Sequence, residues 1–169
     1  MDEWTHKKLV RRMAQWLKGT KRMTVVMSEL ATRNSETPDV IGWIGGASSI
    51  LIECKVSRAD FRADGQKFFR RCFERGMGDK RYVAAPVGLL TADEMPDGWG
   101  LLEVDRFVRV TKEAAPMTAD KRNECVMLMS ALRRLEIATA VYVVAEEDTA
   151  NNALTNAWKK YENGKDPAI

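Results

Sequence analysis

Between residues 4 and 18 the apolar side chains Leu9, Met13, Trp16 and Leu17 recur three and four apart, with Lys7, Lys8, Arg11, Arg12 and Lys18 largely between them. That spacing predicts an amphipathic helix ending at Gly19. Residues 23–27 (MTVVM) are short and β-branched and predict a strand that runs out near Glu29. After a polar turn over 34–38, residues 39–44 read as a second strand, and the small residues at 45–49 turn the chain into a third, 49–56. There Ile50, Ile52 and Cys54 alternate with Leu51, Glu53 and Lys55, so Glu53 and Lys55 share one face while Cys54 points to the opposite, buried one.

Residues 58–75 predict a helix with Phe61, Phe68, Phe69, Cys72 and Phe73 on one arc and Asp60, Asp64, Lys67, Arg71 and Arg75 on the other. Arg58 and Arg62 fall inside the apolar arc and Gln66 at its margin. Strands follow at 81–86, 101–104 and 107–110, with a turn at 96–98. From Thr118 the pattern is helical, with Val126, Met129, Leu132 and Leu135 facing one way; 137–144 reads as helix or strand, and a last helix carries Leu154, Trp158 and Tyr161. The order predicts an α/β domain with a mixed central sheet flanked by helices. It spans 1–169, with a core of about 1–115 and a C-terminal helical extension of about 116–169.

The 169 residues suit one domain, and no apolar run approaches the ~20 residues that span a bilayer, so no membrane partner and a cytoplasmic location are expected. Cys54, Cys72 and Cys125 form no CxxC pair and predict reduced thiols. The single histidine, His6, excludes HExxH, HNH and HD chemistry, and phosphate-binding glycine loops are absent. The formal net charge is only +3, yet residues 1–22 hold seven Lys/Arg against two acids, and 55–81 nine against four. Such asymmetry fits either a polyanion-facing side or an ordinary solvated face.

If strands two and three form an antiparallel hairpin, the start of one lies beside the end of the other, and Asp39, Glu53 and Lys55 converge. Two carboxylates without imidazole suit a hard cation such as Mg²⁺, and a nearby ammonium can orient an attacking water. The alternatives are a turn-capping Asp39 and a plain ion pair between Glu53 and Lys55. His6 reads as an exposed helix residue. Trp43 and Trp99 read as packing anchors in preference to base-stacking platforms.

Pro38-Asp39 and Glu53-Cys54-Lys55, with the string IECKVSRADF over 52–61, resemble the PD-(D/E)XK phosphodiesterase superfamily, and in particular phage and bacterial MmcB-like members. The resemblance covers roughly residues 23–104. It implies a restriction-endonuclease-like core and a metal-dependent deoxyribonuclease, in which Asp39, Glu53 and the Cys54 carbonyl hold Mg²⁺ or Mn²⁺ and Lys55 positions the water. It further implies Glu29 as an additional acid, with Glu3 on the first helix as competitor, and Gln66 as the polar residue of the following helix, with Lys67 as alternative. Arg58, Arg62, Lys67 and Arg70 are the implied nucleic-acid contacts, Arg58 and Arg62 having salt bridges at the sheet edge as their structural alternative. DNA is the expected partner and RNA the alternative; monomer and homodimer both stay open. A catalytically silent nuclease fold that binds nucleic acid or protein is the rival reading.

Overall fold

The computed structural model describes residues 3–30, 36–64 and 76–134. The chain divides into two compact units, Met1–Ala131 and Leu132–Ile169, and everything below concerns the first, apart from the last residues of the helix that ends at Arg134. Helix α1 (His6–Gly19) starts where the Thr5 hydroxyl accepts the Lys8 amide at 3.3 Å. Its buried face is Leu9, Met13, Trp16 and Leu17, the stripe that the spacing predicts, together with Val10. Six strands follow, β1 (Val25–Ser28), β2 (Val40–Ile44), β3 (Ser48–Cys54), β4 (Lys80–Pro86), β5 (Gly100–Val104) and β6 (Val108–Lys112), in one sheet of order β1-β2-β3-β4-β5-β6. The pairs β1–β2, β2–β3 and β5–β6 are antiparallel, whereas β3–β4 and β4–β5 are parallel. This is a mixed sheet flanked by helices, an α/β architecture consistent with a restriction-endonuclease-like core.

The alternation along β3 decides what each face meets. Ile50, Ile52 and Cys54 join α1 in one apolar layer; Leu51 joins Ile41, Val83, Trp99 and Met127 in the layer on the opposite face. Gly42 is where α1 comes closest, since a Cβ there would stand 3.2 Å from Leu17 and 3.1 Å from Met23. Trp43 and Trp99 are buried anchors, as expected. Among the described residues no helix is long and apolar enough to cross a membrane.

Three expectations are corrected. Helix α1 begins at His6, so Glu3 lies ahead of it, and its first turn holds no acid to interact with the helix dipole. Helix α2 (Arg58–Asp64) exposes Arg58 and Arg62 in place of packing them: Phe61 alone of the three joins the apolar layer, and the Arg58 guanidinium reaches out to the Leu89 carbonyl and Glu94. Helix α3 (Lys121–Arg134) buries Glu124, Met127 and Ser130 and leaves Met129 and Leu132 exposed. The helix is rotated relative to the expected stripe because the buried Glu124 carboxylate, beside Met127, faces the sheet. It also carries the compact unit past the expected core limit near residue 115. Residues 65–75 and 135–169, which include Gln66, Lys67, Arg70 and the expected last helix, lie outside the described residues.

Candidate active site

The sheet brings three acids to one edge. Ser28 pairs with Val40 and Val40 with Ile52, so one further step sets Glu29 beside Asp39 and Asp39 beside Glu53, at the end of β1, the start of β2 and the end of β3. The Glu29 amide donates to the Asp39 carbonyl at 3.1 Å, which fixes the first of these steps. Glu29 leaves the strand with φ of 50°, a left-handed conformation that is uncommon for a side-chain-bearing residue and turns the chain out of the sheet at the site.

Asp39 carries a structural bond as well. Its Oδ2 accepts the Cys54 amide at 2.7 Å. The reason lies in the ladder: its last β2–β3 pair is Val40–Ile52 and the chain bends at Asp39, so the Asp39 side chain, in place of a β2 carbonyl, takes the Cys54 amide. The regular ladder therefore ends here. The turn-capping alternative for Asp39 is realised across the strands instead of within a turn.

Glu53 and Lys55 are not a surface pair. Both are buried, at 3% and 4% exposure, and Lys55 Nζ lies 3.5 Å from Glu53 Oε2 and 3.9 Å from Asp60 Oδ1. The Lys55 amide is anchored on the Ala84 carbonyl of β4 at 2.8 Å, so the parallel neighbour strand holds the lysine in place. Burial pushes the Cys54 thiol well above its ordinary range; the Asp39 and Glu53 carboxylates push it further, Lys55 opposes them and Glu29 adds to the rise. The thiol thus senses all three acids from the other face. In the folded protein Cys54 is expected to react with a disulfide-exchange reagent at least ~100-fold more slowly than exposed Cys125. Mass-spectrometric labelling rates check this, and equal rates would mean that the Cys54 thiol is not buried in the α1 layer.

Two residues join the site unforeseen. His6, expected to be a plain exposed residue, opens α1 at the sheet edge with Nε2 3.4 Å from Asp39 Oδ1 and 3.8 Å from Glu29 Oε1. Asp60, expected on a solvated arc, turns from the first turn of α2 towards Lys55. The one advance signal for either was scarcity: a lone imidazole stands three residues from Glu3 in a basic segment. Arg58 meets its structural alternative, with its guanidinium on Glu94 and on the Leu89 carbonyl. Among the described residues no three His, Cys, Asp or Glu side chains are drawn close enough to form a ready-made metal cage.

No family model matches the chain, and no curated protein does. Among solved structures the chain is similar to a protein of unknown function from Silicibacter pomeroyi, with 24% identity and a TM-score of 0.60 over 85% of this chain and 99% of that one. The likeness is one of fold.

Proposed function

We propose that this chain is a metal-dependent nuclease of the PD-(D/E)XK type, hydrolysing DNA phosphodiester bonds with water and without a covalent intermediate. One observation carries the reading: Glu29, Asp39 and Glu53 stand in register across three strand ends, with the buried Lys55 ammonium 3.5 Å from Glu53.

The donor set fits a small hard cation, because Asp39 and Glu53 offer carboxylate oxygens and the backbone carbonyl of Cys54 lies beyond the last β2–β3 ladder pair, beside them. Mg²⁺ or Mn²⁺ would be held by these three groups. Such an ion supplies charge stabilisation at the phosphate and lowers the pKa of bound water. The chain's own groups do the rest. Lys55 holds its protons at Nζ between Glu53 and Asp60 and offers an N–H to the attacking water; Cys54 N–H orients Asp39; His6 at the start of α1 stands between the Asp39 and Glu29 carboxylates. Dry surroundings at Glu53 and Lys55 strengthen each of these interactions.

A panel of labelled single-stranded, duplex and branched DNAs incubated with Mg²⁺, Mn²⁺ or EDTA tests the proposal. Cleavage is expected with either cation and not with EDTA, and Asp39→Ala and Glu53→Ala are expected to abolish it. Glu29→Gln is expected to lower turnover at least ~100-fold with folding intact, and Glu3→Gln to cost little. Activity in EDTA, or survival of both alanine variants, overturns the reading. The silent-fold rival draws on one observation, that both Asp39 oxygens already have neighbours in Cys54 N–H and His6. Binding of DNA with no cleavage under any cation would favour it.

A further inference from the structure

We propose that a groove beside the site receives unpaired nucleobases, so that the substrate strand enters single-stranded; this rests on the nuclease reading for its substrate. Two adjoining cavities, of about 630 Å³ and 370 Å³, share Glu3, Trp4, Pro86 and Val87. The smaller reaches Val56, the residue after Lys55, and the larger runs on to Val104 and Arg106. Pro86 ends β4, two residues past the carbonyl that anchors Lys55. Val56 packs with Trp4 on the α1 layer, the face of β3 opposite Lys55, so the groove follows the ends of β4 and β5 on that side of the same sheet edge.

Its walls differ from what a duplex presents. A duplex hides its bases in the stack and offers phosphates and groove edges, for which an apolar concavity has no use. An unpaired base exposes two π faces, and aromatic and apolar walls bind those faces whatever the base. Trp4 supplies one wall, packed on the core layer of α1, and Val87 is 49% exposed beside it. At the rim the Arg106 guanidinium lies 5.7 Å from the ring of Phe107, itself 59% exposed, a cation and an aromatic face side by side. Arg12 donates to the Arg106 carbonyl at 3.3 Å, tying this turn to α1, whose exposed Lys7, Lys8 and Arg11 complement a phosphate chain. The acid at this end is committed: Asp105 accepts the Phe107 amide and pairs with Arg109 at 2.9 Å.

The test is equilibrium binding of the full chain in EDTA, read by anisotropy, to fluorescent oligo-dT, to a strand of equal length made of abasic units, and to a duplex of that length. Oligo-dT is expected to bind at least ~10-fold tighter than the other two. Phe107→Ala is expected to lower oligo-dT affinity to the abasic level without changing abasic binding, and its exposed position makes it safe for folding. Trp4→Ala should do the same and Trp4→Phe restore affinity. Equal binding of oligo-dT and the abasic strand, preference for the duplex, or indifference to Phe107→Ala overturns the groove. Metal-dependent cleavage is scored separately: duplex cleavage with no base preference sinks the groove alone, whereas base-dependent binding without cleavage under any cation sinks the nuclease reading alone.

Discussion

Lys55→Met is expected to lower metal-dependent hydrolysis by ~10²- to 10⁴-fold, the range for a lost proton-handling or water-orienting group, and also to lower the melting temperature. The two effects have different origins. Lys55 is 4% exposed, and its ion-pair partner Glu53 is 3% exposed. Removing one member of a buried pair strands the other charge and costs ~3–5 kcal/mol, a large part of the ~5–15 kcal/mol that holds a domain together. Asp60, 44% exposed at its side chain, stays hydrated and contributes little to that cost. The loss of activity must therefore be separated from unfolding. The double variant Glu53→Gln with Lys55→Met removes both charges, so it is expected to recover most of the lost stability and none of the activity. Calorimetry and single-turnover cleavage, measured well below the melting point, check the pair. Hydrolysis in Lys55→Met within ~10-fold of the parent would remove the ammonium from the mechanism.

Glu124→Ala is expected to destabilise the protein by ~3–5 kcal/mol while leaving turnover unchanged where the protein is folded. Glu124 is 2% exposed and accepts from Trp43 Nε1 at 2.8 Å, Ser49 Oγ at 2.8 Å, the Gly78 amide at 2.9 Å and Lys121 Nζ at 3.1 Å. Truncation leaves the first three donors buried. The Gly78 donor sits where only glycine fits, since its φ is +87° and a Cβ there would meet Leu51 at 2.6 Å. Lys121 keeps a counter-ion, because Asp79 lies 2.5 Å away. Partial burial pushes the Asp79 carboxyl up, but Lys121 and the Ser49 amide and hydroxyl outweigh it and hold the group below the usual carboxylate range. Trp43 and Ser49 sit at the opposite end of the β2–β3 hairpin from Asp39 and Glu53, which is why catalysis should be spared. A chemical-denaturation midpoint equal to that of the parent would show that this cluster does not hold α3 to the sheet.

These two residues also mark what the sequence can convey. The β2–β3 hairpin and the shared face of Glu53 and Lys55 follow from a two-residue alternation, which is local and survives folding unchanged. Glu124 does not follow from any such pattern. It is charged and lies off the apolar stripe, and only the indole of Trp43, the hydroxyl of Ser49 and the amide of Gly78, between 46 and 81 residues away in the chain, make its burial favourable. His6 and Asp60 escaped for the same reason. Their places depend on where α1 and α2 begin relative to strand ends, a matter of tertiary register. The choice of parallel partners for β3, β4 and β5 likewise leaves no mark in hydropathy.

Every strand of the sheet lies next to its neighbours in the chain, so the sheet can grow in the order in which a ribosome delivers it, with few long loops to close. The acids of the site all precede residue 61, yet the Lys55 amide is clamped by Ala84. A nascent chain that has released its first three strands thus carries the carboxylates before it can seat the ammonium. A fragment ending before residue 80 is therefore expected to hold the acids without a fixed lysine.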